Sequence, residues 1–292
     1  MAVYKQNYKR YDGPITDERS RFTVLPRFSF QSVFETRAFT VFYMGCFVPV
    51  AAALVIQYLL ANLDAVRAVT GGPAPNLNQL IQVDTRFFTY FMHCQQFLTF
   101  ILAMFVGPGL VSPDLTNGAL PMYLSRPFSR QEYVVGKMCV VVTLASLITW
   151  IPGLLIFAIQ SNLEAGWMAS HLRIAVAVFV GSWLWILVVA LLSLAISAWV
   201  KWRPVAAAVM FGVFFVAAVF GETANGILNL DKSWGLLMDI TEVMNMLWSW
   251  LFDAVDTYRG LPVWTALISI AVFCAASLFM LWKKIRACEV IR

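Results

Sequence analysis

The chain contains little charge. Of its 292 residues only 13% are charged and 60% are hydrophobic, whereas soluble domains have about 25% and roughly 45–50%. This composition excludes an ordinary soluble domain and indicates a protein that lies largely within a membrane. The net charge of +5 needs no nucleic acid to explain it, because anionic membrane lipids attract basic residues near the bilayer. We therefore predict membrane lipids as partners and no nucleic acid.

The chain also lacks the sequence motifs of common catalytic sites. It has no Gly-x4-Gly-Lys-Ser/Thr phosphate-binding loop, no His-Glu-x-x-His or Gly-x-Ser-x-Gly motif, and only two histidines. We therefore predict that the chain is not an enzyme and that it does not bind ATP through such a loop. No acidic residue lies deep inside an apolar run, which disfavours a carrier driven by protons or sodium ions.

The cysteines follow no metal or redox motif. There are five of them, and no two have the spacing of such a motif. Because buried cysteine usually behaves as a small hydrophobic residue, no cofactor, metal ion or disulfide framework is predicted. The cysteines are Cys46, Cys94, Cys139, Cys274 and Cys288.

Six apolar runs are long enough to cross a bilayer, which needs about 20 residues per helix. Each run predicts a helix, because every backbone N–H and C=O must be paired internally within lipid. The predicted fold class is therefore all-α, a polytopic membrane protein with six transmembrane helices. The predicted spans are 38–61, 87–111, 133–159, 172–200, 204–221 and 262–282.

The distribution of Lys and Arg predicts the orientation of the spans. If both termini are cytoplasmic, 16 of the 21 Lys and Arg residues lie inside and five lie outside. Cytoplasmic segments of membrane proteins carry the excess of these residues. We therefore predict that both termini are cytoplasmic.

The residues before the first span predict a separate N-terminal segment. Residues 1–37 are expected to form a cytoplasmic lead-in, followed by the six-span domain at 38–292. Phe30, Val33 and Phe34 recur at helical spacing, which predicts a connecting helix at the membrane interface. The alternative is an irregular tether whose aromatic rings rest on the membrane.

The segment before the sixth span has the pattern of an amphipathic helix. Polar and acidic residues from Asp239 to Asp256 recur at steps of three and four, and Trp, Met and Leu cover the remaining faces. Such a helix needs one apolar and one polar side. We predict an outer helix that lies at the interface or re-enters the bundle.

The segment between the second and third runs is compact, basic and rich in turns. Gly107-Pro108-Gly109 predicts an end or kink of the second span, and Ser129 with Glu132 predicts a capping box that starts the third. A short helix around 120–125 is predicted between these signals. The segment reads Asp114-Leu-Thr-Asn-Gly-Ala-Leu-Pro-Met-Tyr-Leu-Ser-Arg-Pro-Phe-Ser-Arg-Gln-Glu-Tyr-Val-Val-Gly-Lys137.

This segment resembles the cytoplasmic loop between the second and third spans of type-2 ABC exporter permeases. That loop often has an acidic residue, then Gly-x-Leu, Leu-Ser-x-Pro-x-Ser-Arg, Tyr and Gly-Lys. The resemblance implies a permease subunit that docks on a separate ATPase subunit and pairs with a second permease copy or a paralogue. The docking residues that it implies are Asp114, Gly118, Leu120, Tyr123, Leu124, Ser125, Arg126, Pro127 and Arg130.

Two features of the loop leave alternatives open. Pro121 stands where the family often has an acidic or small residue, which leaves the length of the docking helix open. Arg126 and Arg130 either pair with acids of the partner or only follow the excess of cations on the cytoplasmic side.

The resemblance also implies a function and a location. It implies an ATP-driven exporter in the bacterial cell (inner) membrane that switches between inward and outward access. The alternative is a membrane anchor or signalling subunit of an ABC-like complex that moves no substrate. Apolar spans with few charges favour an amphipathic or lipid-like substrate over a bare ion.

A polar seam runs along the second span. Arg86, Thr89, His93 and Gln96 follow one another at steps of three and four residues, so they share one helix face. Polar groups within a bilayer usually face protein or water. The seam is therefore a candidate lining of the translocation path, and the alternative is hydrogen bonding between helices, within one copy or between two.

Overall fold

The structure, a computed structural model, describes residues 23–62, 82–119, 129–164, 166–228, 234–253 and 261–285, and most of these residues are helical. No strand occurs among these residues, so the predicted all-α fold is confirmed. A 3-10 helix lies at Trp234–Met238. The α-helices are α1 (Val24–Phe34), α2 (Arg37–Gly45), α3 (Val48–Ala61), α4 (Thr85–Val106), α5 (Pro108–Thr116), α6 (Arg130–Ile148), α7 (Trp150–Leu163), α8 (Trp167–Trp199), α9 (Arg203–Leu228), α10 (Ile240–Leu251) and α11 (Val263–Lys284).

Among the described residues, six helical segments are long and apolar enough to cross a membrane, as the sequence predicted. The first three spans are each made of two helices: α2 with α3, α4 with α5, and α6 with α7. The fourth, fifth and sixth spans are α8, α9 and α11. The helix of the fifth span, α9, extends to Leu228, beyond the predicted run 204–221. Polar residues such as Glu222 and Asn225 continue the helix after the apolar pattern ends.

The fourth span, α8, is the centre of the bundle. It packs against the second, third, fifth and sixth spans and against α10. In its most apolar stretch 61% of the residues are buried, compared with 22% in the first, fifth and sixth spans. The second, third and fourth spans therefore form the core, and the other three leave most of their apolar side chains on the outside of the single chain.

The connecting helix α1 packs against the start of the third span. Its buried residues are Leu25 and Ser29, and the neighbouring Phe28 is 66% exposed. A helix with one covered face and exposed aromatic side chains has the character expected of an interfacial helix. Residues 1–22 of the predicted lead-in lie outside the described residues.

The apolar face of α10 packs against the bundle. Trp248 is 1% exposed, and its ring lies directly on Gly181 of α8. A Cβ atom at Gly181 would lie 2.2 Å from the ring, so glycine permits this close approach. The predicted polar stripe is only partly exposed, since Asp239 is buried and accepts a hydrogen bond from the N–H of Thr241 at 2.8 Å.

Arg173, near the start of α8, holds the last turn of α10. Its guanidinium group donates to the carbonyl oxygens of Trp250 and Leu251 at 2.7 and 3.0 Å and pairs with the Asp253 carboxylate at 2.9 Å. A cation at a helix C-terminus stabilises the unpaired carbonyl groups there. Arg173 and Trp248 therefore join α10 to the fourth span at two levels.

The contact between Gly181 and Trp248 generates the first prediction. We expect Gly181→Ala to destabilise the protein by about 1–3 kcal/mol, the usual cost of overpacking, despite the higher helix propensity of alanine. The matched control is Gly226→Ala in α9, where a Cβ meets nothing within 4 Å. Thermal unfolding of the purified proteins in detergent measures both changes, and equal melting temperatures for the two variants would contradict the packing role.

Candidate functional site

The second span breaks where Gly107 meets Pro108. Helix α4 ends at Val106, and α5 begins at Pro108, as the sequence predicted, because proline cannot donate the next helical hydrogen bond. Gly107 packs on Ser193 of α8 so closely that a Cβ would lie 2.4 Å from the Ser193 Cβ. The break is therefore held against the fourth span and is not a free hinge.

Ser197 of α8 supplies hydrogen bonds to the backbone groups that this break leaves unpaired. Its Oγ accepts from the N–H groups of Val111 and Ser112 at 3.2 and 3.0 Å and can donate to the carbonyl of Pro108 at 3.2 Å. In return, Ser112 Oγ donates to the Ser197 carbonyl at 2.9 Å. The fourth span thus caps the first turn of α5, which satisfies backbone groups that lipid cannot pair.

The far end of α5 is tied to the third span and to the connecting helix by buried charges. The Asp114 carboxylate pairs with Lys137 Nζ at 2.9 Å and accepts from the Tyr133 hydroxyl at 2.8 Å. Lys137 Nζ also donates to Ser29 Oγ of α1 at 3.4 Å. The Lys137 side chain is 8% exposed and that of Asp114 16%. Three helices therefore meet at one ion pair.

This network places the Asp114 carboxylate against the third span, although the sequence assigned Asp114 to the docking residues. Near the same end, Thr116 Oγ1 donates to the carbonyl of Lys201 at 3.3 Å. Helix α5 is therefore attached to the third span, to the fourth span and to the short link between the fourth and fifth spans. We call this end of the molecule the loop end, since α5 leads from it into residues 120–128.

The described edges of the predicted docking loop have defined conformations. Gly118 has φ +65° and is exposed, a backbone conformation that favours glycine. Arg130 is exposed at the first turn of α6, and the predicted capping box is confirmed: Glu132 N–H donates to Ser129 Oγ at 3.2 Å and Ser129 N–H to Glu132 Oε2 at 2.6 Å. The docking residues outside the described part of the chain are Leu120, Tyr123, Leu124, Ser125, Arg126 and Pro127.

The polar seam of the second span divides into two parts. Arg86 is exposed, and the Thr89 hydroxyl donates to the Thr85 carbonyl of the preceding turn at 2.8 Å. His93 Nδ1 likewise lies 2.7 Å from the Thr89 carbonyl. Gln96 differs, because its side chain is buried and neither amide atom has a partner among the described residues. Gln96 is therefore the seam residue best placed to hold a polar group inside the bundle.

Two buried glutamines form interhelical contacts that sequence reasoning missed. Gln57 Nε2 donates to the carbonyl of Ile156 in the third span at 3.0 Å, and Gln95 Nε2 donates to that of Cys46 in the first span at 3.5 Å. The sequence places Gln57 near a span end and so suggests the interface, but the side chain is 1% exposed. The only available signal was an amide inside an apolar run, which predicts a buried partner without identifying it.

The described residues hold no group of three or more His, Cys, Asp or Glu side chains that could bind a metal ion. What the structure does show is a set of contacts that fix one short helix in place. A short helix, fixed to the core at both ends, leads into a basic loop on one end of a six-span bundle.

Comparison with known protein families identifies the family of the chain. The model of the ABC-2 family transporter protein matches residues 33–284, so the chain belongs to this family and is a multi-pass membrane protein, the permease subunit of an ABC transporter. Permeases of this family normally work with a separate ATPase subunit. No curated protein shows significant sequence similarity to the chain.

The buried ion pair generates the second prediction. Asp114→Asn or Lys137→Gln alone should destabilise the protein by about 3–5 kcal/mol, because each change leaves one buried charge unpaired. The double variant should cost less than the sum of the two single changes. Asp253→Asn is the control, since it breaks the exposed pair with Arg173 and should cost at most about 1 kcal/mol.

Thermal unfolding of the four purified proteins and the parent chain gives the coupling free energy between Asp114 and Lys137. If the two single changes cost no more than Asp253→Asn, or if they are strictly additive, the network does not join the helices as described.

Proposed function

We propose that the chain is the transmembrane subunit of an ATP-driven exporter that moves an amphipathic or lipid-like substrate. In this proposal two permease units and two ATPase units form the transporter, both termini of the chain are cytoplasmic, and the bacterial inner membrane is its location. The ATPase subunit docks on the loop between the second and third spans. The distribution of Lys and Arg supports the orientation, since 16 of 21 then lie in cytoplasmic segments.

The observation that carries the proposal is the double attachment of α5. A force applied to the loop passes into α5, which cannot flex at its break because Gly107 and Ser197 hold that break on α8. At its other end the ion pair of Asp114 and Lys137 moves the third span and α1 with it. A flexible loop would absorb such a motion, whereas this arrangement conveys it to the core.

The proposed cycle follows from these attachments. ATP binding brings the two ATPase units together and tilts the docked loops. Helix α5 then shifts the third and fourth spans relative to the peripheral first, fifth and sixth spans. Since packed helices change between discrete arrangements and do not deform continuously, the bundle switches between access from the cytoplasm and access from outside.

A substrate path lined by Gln96 fits this cycle. The backbone carbonyl of Gln96 accepts from Trp185 Nε1 of α8 at 3.1 Å, so this residue lies where the second and fourth spans meet. A buried amide without a partner costs about 1–3 kcal/mol. Water or a polar substrate group that reached this level would remove that cost.

The alternative function, an anchor or signalling subunit, uses the same docking loop but moves nothing. It predicts that the ATPase subunit binds and that no change in access follows. The third and fourth predictions separate these functions, because the third measures docking and the fourth measures access.

The third prediction concerns docking. We expect Arg126→Glu and Arg130→Glu to reduce the amount of ATPase subunit that co-purifies with the chain, because charge reversal at a desolvated contact costs about 2–5 kcal/mol. Arg37→Glu is the control: this residue is exposed at the start of the first span, away from the loop in sequence. Membrane insertion should be unchanged in all three. Undiminished co-purification of the two loop variants would reject docking through this loop.

The fourth prediction concerns access. In a background without native cysteines, His93→Cys and Gln96→Cys should react with a small polar thiol reagent added from outside. Phe91→Cys, on the opposite side of the same helix, and Phe100→Cys, one turn beyond Gln96 and packed on Phe214 of α9, should react much less. With the ATPase subunit present, a non-hydrolysable ATP analogue should change the reactivity of the first two positions.

A second arm tests the attachment of α5. Ser197→Ala removes the hydroxyl that caps two N–H groups. It should leave ATPase co-purification intact and abolish the nucleotide-dependent change in labelling. Labelling that is equally low at all four positions favours a packing role for the seam, and nucleotide-independent labelling favours the anchor or signalling subunit.

A further inference from the structure

Gln96 and Ser182 are buried polar side chains on neighbouring spans. Gln96 of α4 is 4% exposed, and Ser182 of α8 is 1% exposed. Neither amide atom of Gln96 has a hydrogen-bond partner among the described residues, and the Ser182 hydroxyl has none there either. Buried polar groups in native proteins are almost always hydrogen-bonded, to protein or to bound water. Both side chains therefore need a partner that the described part of the chain does not supply.

Helices α4 and α8 run in the same direction and touch at two levels. Gly107 lies directly on Ser193, where a Cβ at Gly107 would be 2.4 Å from the Ser193 Cβ. Further from the loop end, Trp185 Nε1 donates to the carbonyl of Gln96 at 3.1 Å. Residue numbers increase together along the two helices, so the helices are parallel, and Gln96 lies on the side of α4 that meets α8.

Gln96 and Ser182 occupy equivalent positions on this parallel pair. Gln96 lies eleven residues before Gly107, and Ser182 lies eleven residues before Ser193. Eleven residues make close to three helical turns, or about 16 Å, and so return to the same face of a helix. The two side chains therefore repeat the contact of Gly107 with Ser193 three turns further from the loop end. They face each other at one level.

Helix α10 packs against the same level. The ring of Trp248 lies on Gly181, the residue before Ser182. Trp248 is 1% exposed, and its Nε1 also has no partner among the described residues. Helix α10 contacts both α4 and α8. An indole N–H is therefore a third buried polar group where these three helices meet.

A bridging group fits between Gln96 and Ser182. The two side chains face each other and yet form no hydrogen bond, so their polar atoms are further apart, or differently directed, than a direct bond allows. The Gln96 amide offers two N–H donors and one carbonyl acceptor, and the Ser182 hydroxyl can donate or accept. A hydroxyl group has both functions as well. It can accept from one of these side chains and donate to the other.

The bridging group must be uncharged. No Asp, Glu, Lys or Arg occurs at 87–113 in the second span or at 174–200 in the fourth. A charge that is buried without a partner of opposite sign costs far more free energy than a neutral polar group. A phosphate, a carboxylate or an ammonium group is therefore disfavoured at this level, whereas a hydroxyl group is not.

We propose that Gln96 and Ser182 together bind one uncharged hydroxyl group between the second and fourth spans. Water and the hydroxyl of an amphipathic alcohol share this chemistry. The inference deepens the proposed function, on which it rests for the substrate path at Gln96, because it adds Ser182 and requires the part of the substrate that reaches this level to be neutral. Binding itself needs neither ATP nor the ATPase subunit, so it is measured on the purified chain.

A double-mutant cycle of Gln96→Met and Ser182→Ala tests whether the two side chains share a ligand. Each single change should lower the melting temperature of the full chain in detergent by about 2–4 °C, because it removes one partner of the bridging hydroxyl. The double variant should lower it by clearly less than the sum.

Ser277→Ala is the matched control for this cycle. Ser277 is a buried serine of the sixth span, 3% exposed, and its Oγ donates to the Phe273 carbonyl of its own helix at 2.9 Å. Because Ser277 has a partner of its own, the effect of Ser277→Ala should be additive with that of Gln96→Met.

Photolabelling of the parent chain identifies the source of the hydroxyl. The probes are dodecanol with a diazirine on its chain and the dodecane and dodecanoic acid that carry the same diazirine. An alcohol ligand should label the peptides around Gln96 and Ser182 severalfold more than the other two probes do, and both single variants should remove this excess. Equally weak labelling by all three probes, together with a coupled cycle, assigns the site to water. The comparison of probes needs no variant, so it remains decisive if a variant does not fold.

Three results would overturn the site. The first is single variants that raise the melting temperature and are strictly additive, as expected when unpartnered polar groups are simply removed. The second is stronger labelling by the acid than by the alcohol, which would indicate a charged ligand. The third is a crystal structure, at a resolution that shows ordered water, in which Gln96 and Ser182 bond directly to each other.

Failure of the proposed function has a different signature. A coupled cycle without any nucleotide-dependent change in the labelling of His93→Cys and Gln96→Cys would reject transport through this path and leave the hydroxyl site in place.

Discussion

The organisation of the bundle depends on one constraint, that a helix broken inside a membrane must find other partners for its freed backbone groups. Pro108 interrupts the second span, and Ser197 of the fourth span meets this need with a single hydroxyl. That solution fixes α5 on the fourth span, the helix at the centre of the bundle. It also requires Gly107, because a side chain there would keep α4 and α8 too far apart for the Ser197 contacts. The break and its cap are therefore one feature, built from two distant parts of the chain.

The buried ion pair completes this arrangement at the other end of α5. Taking Asp114 and Lys137 out of water costs free energy that their attraction only partly returns. Apolar residues at these two positions would therefore stabilise the fold equally well. The pair instead fixes geometry: the Asp114 carboxylate also binds the Tyr133 hydroxyl, and Lys137 reaches Ser29. Directional contacts of this kind define how three helices meet, whereas apolar contacts between helices in lipid allow neighbouring registers.

Local signals in the sequence predict much of this arrangement, but they do not predict the long-range contacts. The six spans, the kink at Gly107-Pro108 and the capping box of Ser129 each depend on neighbouring residues, and the structure has all of them. In the sequence Lys137 is a cytoplasmic cation and the end of the Gly-Lys pair of the loop, and nothing near it marks it as buried. Ser197 looks like any serine in an apolar run, since its partners lie more than 80 residues away. Which helix faces meet cannot be derived from periodicity when a span is apolar on every side.

The two ends of the fourth span are held by different forces, and this difference has a mechanical consequence. At the loop end an ion pair and serine hydroxyls hold α5, and lipid offers no replacement for either. At the opposite end α10 is held by the apolar ring of Trp248 and by the exposed side chain of Arg173. Acyl chains or an amphipathic molecule can replace the apolar contacts at little cost, because helices in lipid gain no hydrophobic free energy from each other. Water can replace the partners of Arg173, because its side chain is 52% exposed. The bundle is therefore expected to move as a unit at the loop end and to open first where α10 meets the fourth span.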